Sequence, residues 1–404
     1  MINNSSSPVV ALEIGTARVR ALVGEEREDG YLMITGVAEC PARGIRKGEI
    51  TDFDNALACV EQVLQQVEKQ SDVSIQEVQV ALTASHIQGS LSRGTTPIIP
   101  VDSEITQTDI DTVMESARAV SLPPERMVLH SIHQQFFVDD QEGVTNPEGM
   151  VGARLAVSML ILHGVRNRIM NVLRVATSAK VHVGGYAFGG LCSALAVLAP
   201  EQKESGCVVI DLGAGTTDYV VYANRCIALA GTLGVGGDHI TNDLAMVLRV
   251  PTAAAEKTKI DVGTPVPGEP PPEQPYLIQP TSGFTGRTVR LHDISAIIQA
   301  RVEETLQLIA AELEKHKLLH LMGAGVVLTG GGAHLKNIES FTSSVLNMPC
   351  TIGRPRNVSG IATTTEGPEY AVTVGMLRYG IRQIGQRDPR SSGWRDLLGR
   401  FFGK

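Results

Sequence analysis

The pattern of apolar positions along the chain repeats. VVALEIGTARVRALV (residues 9–23) and CVVIDLGAGTTDYVVY (residues 207–222) each read as an apolar run, a tight glycine-bearing turn and a second apolar run. Runs of this kind, rich in β-branched residues, predict buried strands, and the turn predicts that each pair folds back as a hairpin. After the first hairpin, Leu57, Val60, Leu64 and Val67 fall at helical spacing, and VQVALTA (residues 78–84) predicts a further buried strand. Strand and helix alternate, which points to an α/β layer architecture.

From Ser85 to about Gly164 the texture changes. GTTPIIPV (residues 94–101) and HQQFFVDD (residues 133–140) predict strands with a helix between them. Thr106-Gln107-Thr108-Asp109 can begin that helix as a cap with an acid at the third position, and Ile110, Val113, Met114 and Ala117 form its apolar stripe. The block predicts a subdomain inserted into the first half. The second half opens at the Asp211 hairpin and continues through GTLGVGGDHITNDLAMVL (residues 231–248) as strand, glycine turn and helix. Seven prolines between Gly263 and Pro280 exclude helix and central strand and predict a surface loop. A long amphipathic helix then begins near Asp293 with Ile294, Ile297, Ile298, Leu306, Ile309 and Leu313 on its apolar face. GVVLTGGGAHLKNI (residues 325–338) predicts a strand, a glycine loop and a helix start.

At 404 residues the chain exceeds one average core, so two domains or one fold in two halves is expected. The net charge of −8 argues against a body that binds nucleic acid through a general basic surface. The charge is uneven: residues 382–404 hold six basic and two acidic side chains, leaving −12 for the rest. A basic tail on an acidic body suggests a negatively charged partner for the tail. The cysteines, Cys40, Cys59, Cys192, Cys207, Cys226 and Cys350, have no ligand spacing and read as small core residues in a reducing compartment. MINNSSSP lacks the basic start and apolar run of a secretory signal. The longest uncharged run, Val183 to Pro200, falls short of the ~20 residues a spanning helix needs, so a cytoplasmic protein without such a helix is expected.

A tight glycine hairpin lets backbone N–H groups approach phosphate oxygens, and a carboxylate beside it can hold Mg²⁺ directly or through water. Two such hairpins facing each other would grip a triphosphate, and Gly330-Gly331-Gly332 would let an adenosine lie against bare backbone. The plain alternative is that each glycine merely shortens its own turn.

EIGTARV, DLGAGTTD, GGLCSALAVL, TGGG and YAVTVGMLRYG resemble, in order, the phosphate hairpins, first connecting helix, adenosine loop and second connecting helix of the actin-like ATPase superfamily. SHIQGSLSRG, EITQTDIDTV, VLHSIHQQFFVDD, NPEGMVGARL and GGDHITNDLA resemble stretches of its bacterial cell-division branch, the FtsA family. The resemblance implies an actin-like, ribonuclease H-like duplicated two-domain α/β fold with an inserted α+β subdomain and a C-terminal amphipathic helix. The expected division is 1–85 with 165–198 and 367–385 for the first-half core, and 86–164 for the insert. The second-half core takes 199–240 with 313–366, its small subdomain 241–312, the linker 386–393 and the terminal helix 394–404. By resemblance, Glu13, Gly15 and Thr16 match the first phosphate hairpin, and Asp211, Gly213, Gly215, Thr216 and Thr217 the second. Gly236, Gly237 and Asp238 match a glycine turn by the nucleotide, Glu256 and Lys259 lie near ribose and adenine, and Gly330, Gly331 and Gly332 form the adenosine loop. The implied cofactors are ATP and Mg²⁺, the ion held by Asp211 and Glu13 through water. The family's usual aspartate is Glu13 here, and the extra methylene displaces the carboxylate by about a bond length, which favours binding over efficient hydrolysis. At most a weak ATPase, with ATP as an assembly switch, is expected.

In GWRDLLGRFFGK, Trp394, Leu397, Leu398, Phe401 and Phe402 share one helical face, with Arg395, Arg400 and Lys404 on or beside the other. A docked terminal helix is one reading; an interfacial membrane anchor suits the aromatics and cations better. Five large side chains give roughly 7–15 kcal/mol of gross burial, most of it offset by ordering, so one copy attaches weakly and an array attaches avidly. The family resemblance implies a head-to-tail polymer on the cytoplasmic face of the inner membrane at the division site. It implies as partners the FtsZ C-terminal peptide, bound around Thr241 to Glu312, further copies of the chain, anionic lipids and later divisome proteins, and no nucleic acid. The rivals are a small-molecule kinase and a pilus-assembly ATPase of the same superfold. His130, His133 and His163 read as satisfied structural histidines.

Overall fold

A computed structural model describes residues 8–266, 273–280, 283–361 and 365–387. The chain builds two sheets of the same plan. In the first, strands His182–Phe188, Glu77–Leu82, Val9–Ile14, Arg18–Glu26 and Leu32–Pro41 lie side by side in that order. In the second the order is Cys350–Ile352, Val326–Thr329, Cys207–Leu212, Thr217–Ala223 and Cys226–Leu233. In each, the central strand is antiparallel to its hairpin partner and parallel to its other neighbour. Val9–Ile14 and Cys207–Leu212 are almost wholly buried, as strands covered on both faces must be, which is why both read as unbroken apolar runs. A late strand, Val358–Gly360, extends the first sheet by pairing parallel to Leu32–Pro41.

Helix Phe53–Ser71 starts where the Asp52 carboxylate accepts the Asn55 N–H at 3.1 Å, and it buries Val60, Leu64 and Val67 against the first sheet. The uncharged run resolves into the strand ending at Phe188 and the helix Gly189–Val197, every residue of which is buried. The final helix, Ala371–Arg387, returns to the first half and lies over it; Gly375 meets the Cys192 backbone so closely that no Cβ would fit. That helix takes in residues 386 and 387, the first two of the expected linker, and residues 388–404, including the expected membrane helix, lie outside the described residues. Among the described residues no helix is long and apolar enough to cross a membrane.

The inserted block is a four-stranded antiparallel sheet, ordered Gln141–Val144, Arg126–Val138, Arg154–Val165 and Gln88–Pro97, with helix Gln107–Arg118 packed on one face. The helix begins as its sequence predicts: the Thr106 N–H and hydroxyl both donate to Asp109 Oδ2, at 2.9 and 2.6 Å. Strand Arg154–Val165 sends Leu155, Val157, Met159 and Ile161 to this small core and Leu160 and Leu162 to the main one. The Gln134 amide donates to the carbonyls of Ile227 and Ala228, at 2.9 and 3.0 Å, which ties the insert to the edge strand of the second half.

Two strand expectations need correction. GTTPIIPV is strand only as far as Pro97, after which Ile98 turns inward and Ile99 stands 82% exposed. Part of the proline-rich stretch is not loop: Pro275–Ile278 pairs with Arg287–Arg290, because proline is tolerated as the first residue of an isolated edge ribbon. The long helix spans Leu291–Lys315 and buries Ile294, Ile298, Leu306, Ile309 and Leu313.

Candidate functional site

The two hairpins close in the same way. Gly15 donates its N–H to Arg18 O and Gly213 its N–H to Thr216 O, both at 3.0 Å. A Cβ on either glycine would lie 2.8 Å from that same carbonyl oxygen, so each glycine is required by the closure of its own turn. The plain alternative therefore accounts for Gly15 and Gly213. It does not account for the apposition of the turns, where a Cβ on Gly215 would meet Thr16 Oγ1 at 2.6 Å. Thr16 Oγ1 also accepts the Gly48 N–H at 3.0 Å. Between the turns opens a cavity of about 450 Å³.

Glu13, Asp211 and Asp218 stand together at the cavity wall, with Glu256 and Glu369 further round it. Asp211 and Asp218 face each other in the register of the second hairpin. Burial, with Glu13 nearby, pushes the Asp211 carboxyl up to about 6, although Ser193 Oγ donates to its Oδ2 and works the other way. Burial and the Asp211 charge push Asp218 well above the usual carboxylate range, and Thr232 Oγ1 donates to it at 2.7 Å. Glu13 is held differently. Thr373 Oγ1 donates to its Oε2 at 2.7 Å, and the Arg20 guanidinium, its neighbour in the first hairpin's register, stands 3.7 Å away. Arg20 also donates to Glu39 at 2.9 Å and to the Glu369 carbonyl at 3.0 Å. Burial opposes the Arg20 charge, yet Glu13 and Glu39 hold its pKa above the ordinary value.

On the far wall, Lys259 Nζ donates to Glu256 at 2.7 Å, to the Thr241 hydroxyl at 2.8 Å and to the Gly237 carbonyl at 3.1 Å. The three glycines at 330–332 differ in what they do. Gly330 has φ +82° and sits against Asp211 and Leu212; a Cβ on Gly332 would meet Leu212 Cβ at 2.7 Å; only Gly331 faces open space. His334, which ends this turn, lies with Nε2 2.6 Å from the Glu369 carboxylate, which bridges the loop to the segment entering the last helix.

The structure thus brings Glu13, Gly15, Thr16, Asp211, Gly213, Gly215, Thr216 and Thr217 to one cavity with Gly236, Gly237, Glu256, Lys259 and Gly330 to Gly332. Asp238 is not among the lining residues; its N–H donates to Ala214 O at 2.8 Å, and burial raises its carboxyl while Lys259 lowers it. The tail residues Trp394, Arg395, Leu397, Leu398, Arg400, Phe401, Phe402 and Lys404 lie outside the described residues. Sequence reasoning missed Arg20 and Asp218, which strict pairing across each hairpin would have found opposite Glu13 and Asp211. Ser193 and Thr373 had no local signal. Of the three histidines, two are satisfied as expected: His130 Nε2 accepts the Phe188 N–H at 3.0 Å, and His163 Nδ1 accepts from Arg126 at 2.7 Å, whereas the buried Nδ1 of His133 makes no hydrogen bond among the described residues.

Comparison with known proteins gives a family. The signature described as cell division protein FtsA matches residues 208–375, and that of the SHS2 domain inserted in FtsA matches residues 84–163. Cell division protein FtsA of Escherichia coli K12 is 32% identical over 379 residues, covering 92% of this chain and 90% of its own. That of Borreliella burgdorferi is 31% identical over 376 residues, covering 93% and 91%. Among solved structures, a PilM-PilN type IV pilus biogenesis complex has a TM-score of 0.64 at 17% identity, covering 92% of this chain and 98% of the matched one. MreB5 of Spiroplasma citri bound to ADP has a TM-score of 0.57 at 13% identity, covering 96% and 99%. These two share the fold.

Proposed function

Because the chain belongs to the FtsA family of cell-division proteins, we propose that it is an ATP-binding, actin-like adaptor that tethers FtsZ to the cytoplasmic membrane and polymerises head to tail at the division site. The observation that carries the nucleotide part is the pair of identically closed glycine hairpins facing one cavity, with Glu13, Asp211 and Asp218 beside them and Gly331 open to it. The donor set fits Mg²⁺. Burial raises the Asp211 carboxyl, and a cation beside it would offset that cost. That suits an ion that keeps its water and takes one or two carboxylates plus phosphate oxygens. Asp211 would hold it; Glu13, already engaged by Thr373 and near Arg20, would act through water. When bound, the ion would neutralise phosphate charge. Lys259 and Glu256 would flank the sugar and base.

The tether is supported by a groove of about 600 Å³ in the small second-half subdomain, between the end of helix Gly237–Leu248, the ribbon at Arg287–Arg290 and the long helix. Val247, 63% exposed, and Ile297 make it apolar, while Arg287 lines it with positive charge beside the Arg290–Asp293 ion pair. An extended peptide with apolar and acidic side chains, such as the FtsZ C-terminal segment, suits that chemistry. The later divisome proteins would meet the insert.

The decisive experiment is co-sedimentation with anionic vesicles, with and without ATP and Mg²⁺, comparing the full chain with one ending at Ser392. The expected result is that only the full chain pellets, more strongly with ATP, and brings the FtsZ peptide with it. If neither chain pellets in any condition, the adaptor reading fails and a soluble kinase of the same fold takes its place.

A further inference from the structure

A third, very small hairpin stands between the two glycine hairpins and the insert: Ile45–Arg46 pairs with Glu49–Ile50 across a Lys47-Gly48 turn. Both turn residues have positive φ, +52° and +73°, the form that closes a two-residue hairpin, and no Cβ would fit on Gly48 against the Thr83 carbonyl. One side of this hairpin meets the cleft. Gly48 lines the cavity and donates its N–H to Thr16 Oγ1 at 3.0 Å, while a Cβ on Gly215 would meet Lys47 Cα at 2.9 Å. The turn therefore touches both glycine hairpins at once. Having accepted from Gly48, the Thr16 hydroxyl still has its own proton to donate to a phosphate oxygen, and each bond in such a chain strengthens the next.

The other side meets the insert. Glu49 Oε1 accepts from the Ser85 hydroxyl at 3.1 Å and from Arg168 Nη1 at 2.8 Å, and the Lys47 carbonyl accepts the Ser85 N–H at 3.3 Å. Ser85 lies where the chain crosses into the insert, and Arg168 stands in the first turn of helix Arg166–Ser178, just after the chain crosses back. The two crossings are also joined to each other: His86 Nδ1 accepts the Val165 N–H at 3.1 Å, and Arg126 Nη2 donates to the His86 carbonyl at 2.7 Å. One carboxylate thus holds both entry and exit. The joint carries a cost, because the buried His86 Nε2 has no hydrogen-bond partner among the described residues. A polar atom buried unpaired lowers local stability, which makes this joint the place where the insert gives way first.

We propose that the hairpin at residues 45–50 couples the nucleotide cavity to the insert: an occupied cavity tightens the Glu49 clamp on Ser85 and Arg168 and fixes the insert's orientation, and an empty cavity loosens it. A phosphate chain favours the clamped state because it binds best where both glycine hairpins close on it, and that closure presses Gly215 on Lys47. Glu49 is a positioning residue, outside the cavity wall. This coupling rests on the nucleotide-binding reading above.

The test is amide hydrogen exchange of the full chain around Ser85 and Val165, with and without a non-hydrolysable ATP analogue and Mg²⁺, beside a fluorescence titration of analogue binding. In the parent the analogue is expected to slow exchange at these amides at least about fivefold. Glu49→Ala is expected to bind the analogue yet exchange equally fast with and without it. Glu49→Gln, which keeps an oxygen to accept from Ser85 and Arg168, is expected to behave like the parent. Arg168→Ala changes an exposed side chain, is expected to lose most of the protection, and serves in place of Glu49→Ala if that variant does not fold. A parent that binds the analogue with no change at these amides overturns the coupling and leaves the nucleotide reading intact. Protection that persists in both alanine variants overturns it too, because a path other than this hairpin then carries the signal. Loss of analogue binding in Glu49→Ala puts Glu49 in the nucleotide site itself and overturns the coupling. A parent that binds no analogue removes the nucleotide reading, and the coupling with it.

Discussion

Burial sets a cost on the Asp211 charge, and replacing the residue with asparagine exposes that cost. The carboxyl is 6% exposed in a strand buried on both faces, with Glu13 and Asp218 for neighbours. Burial moves it from an ordinary value of 3.8 to about 6, which corresponds to roughly 3 kcal/mol of lost stability when it is ionised. Asn keeps the shape and can still accept the Ser193 hydroxyl. Because the folded pKa is raised, the penalty is absent below pH 3.8, builds between 3.8 and 6, and is complete above 6. Asp211→Asn is therefore expected to stabilise the nucleotide-free protein by roughly 3 kcal/mol at pH 7.5 and by about half that at pH 5. Urea unfolding without nucleotide at both pH values measures this. A fluorescent ATP analogue with Mg²⁺ is expected to bind the variant at least about tenfold more weakly, the trade of stability for function common at binding sites. A variant less stable than the parent at pH 7.5, or a gain equal at the two pH values, refutes the reasoning.

The glycine loop gives a paired prediction: Gly332→Ala, whose Cβ would press on Leu212, loses about 1–3 kcal/mol in thermal unfolding. Gly331→Ala melts like the parent yet binds the analogue more weakly, because its methyl enters only the cavity. Arg20→Ala takes the cation from partly buried Glu13, leaves Glu39 only Arg18, and costs about 2 kcal/mol in urea unfolding; an unchanged midpoint would mean that Thr373 alone satisfies Glu13. Asp109→Ala removes the acceptor of both Thr106 bonds and lowers stability by about 1 kcal/mol without altering affinity for the analogue.

Much of this protein was determined by local sequence. Apolar runs with a glycine turn specify a hairpin wherever they stand, and the two copies at Val9 and Cys207 therefore reveal the duplicated sheets. The insert's helix was legible for the same reason, since Thr106 and Asp109 meet within one turn. Tertiary structure alone decided the state of the acids. Glu13 receives its hydroxyl from Thr373, 360 positions away, and Asp211 receives one from Ser193 on another helix. No spacing encodes such meetings. The glycines at 330–332 look alike in sequence, yet Leu212 crowds two of them and leaves the third open. Pro275 became a strand residue because a partner ribbon at Arg290 was there to pair with it. Periodicity acts over a few residues and is written in the chain, whereas charge, burial and close approach depend on what the fold brings alongside.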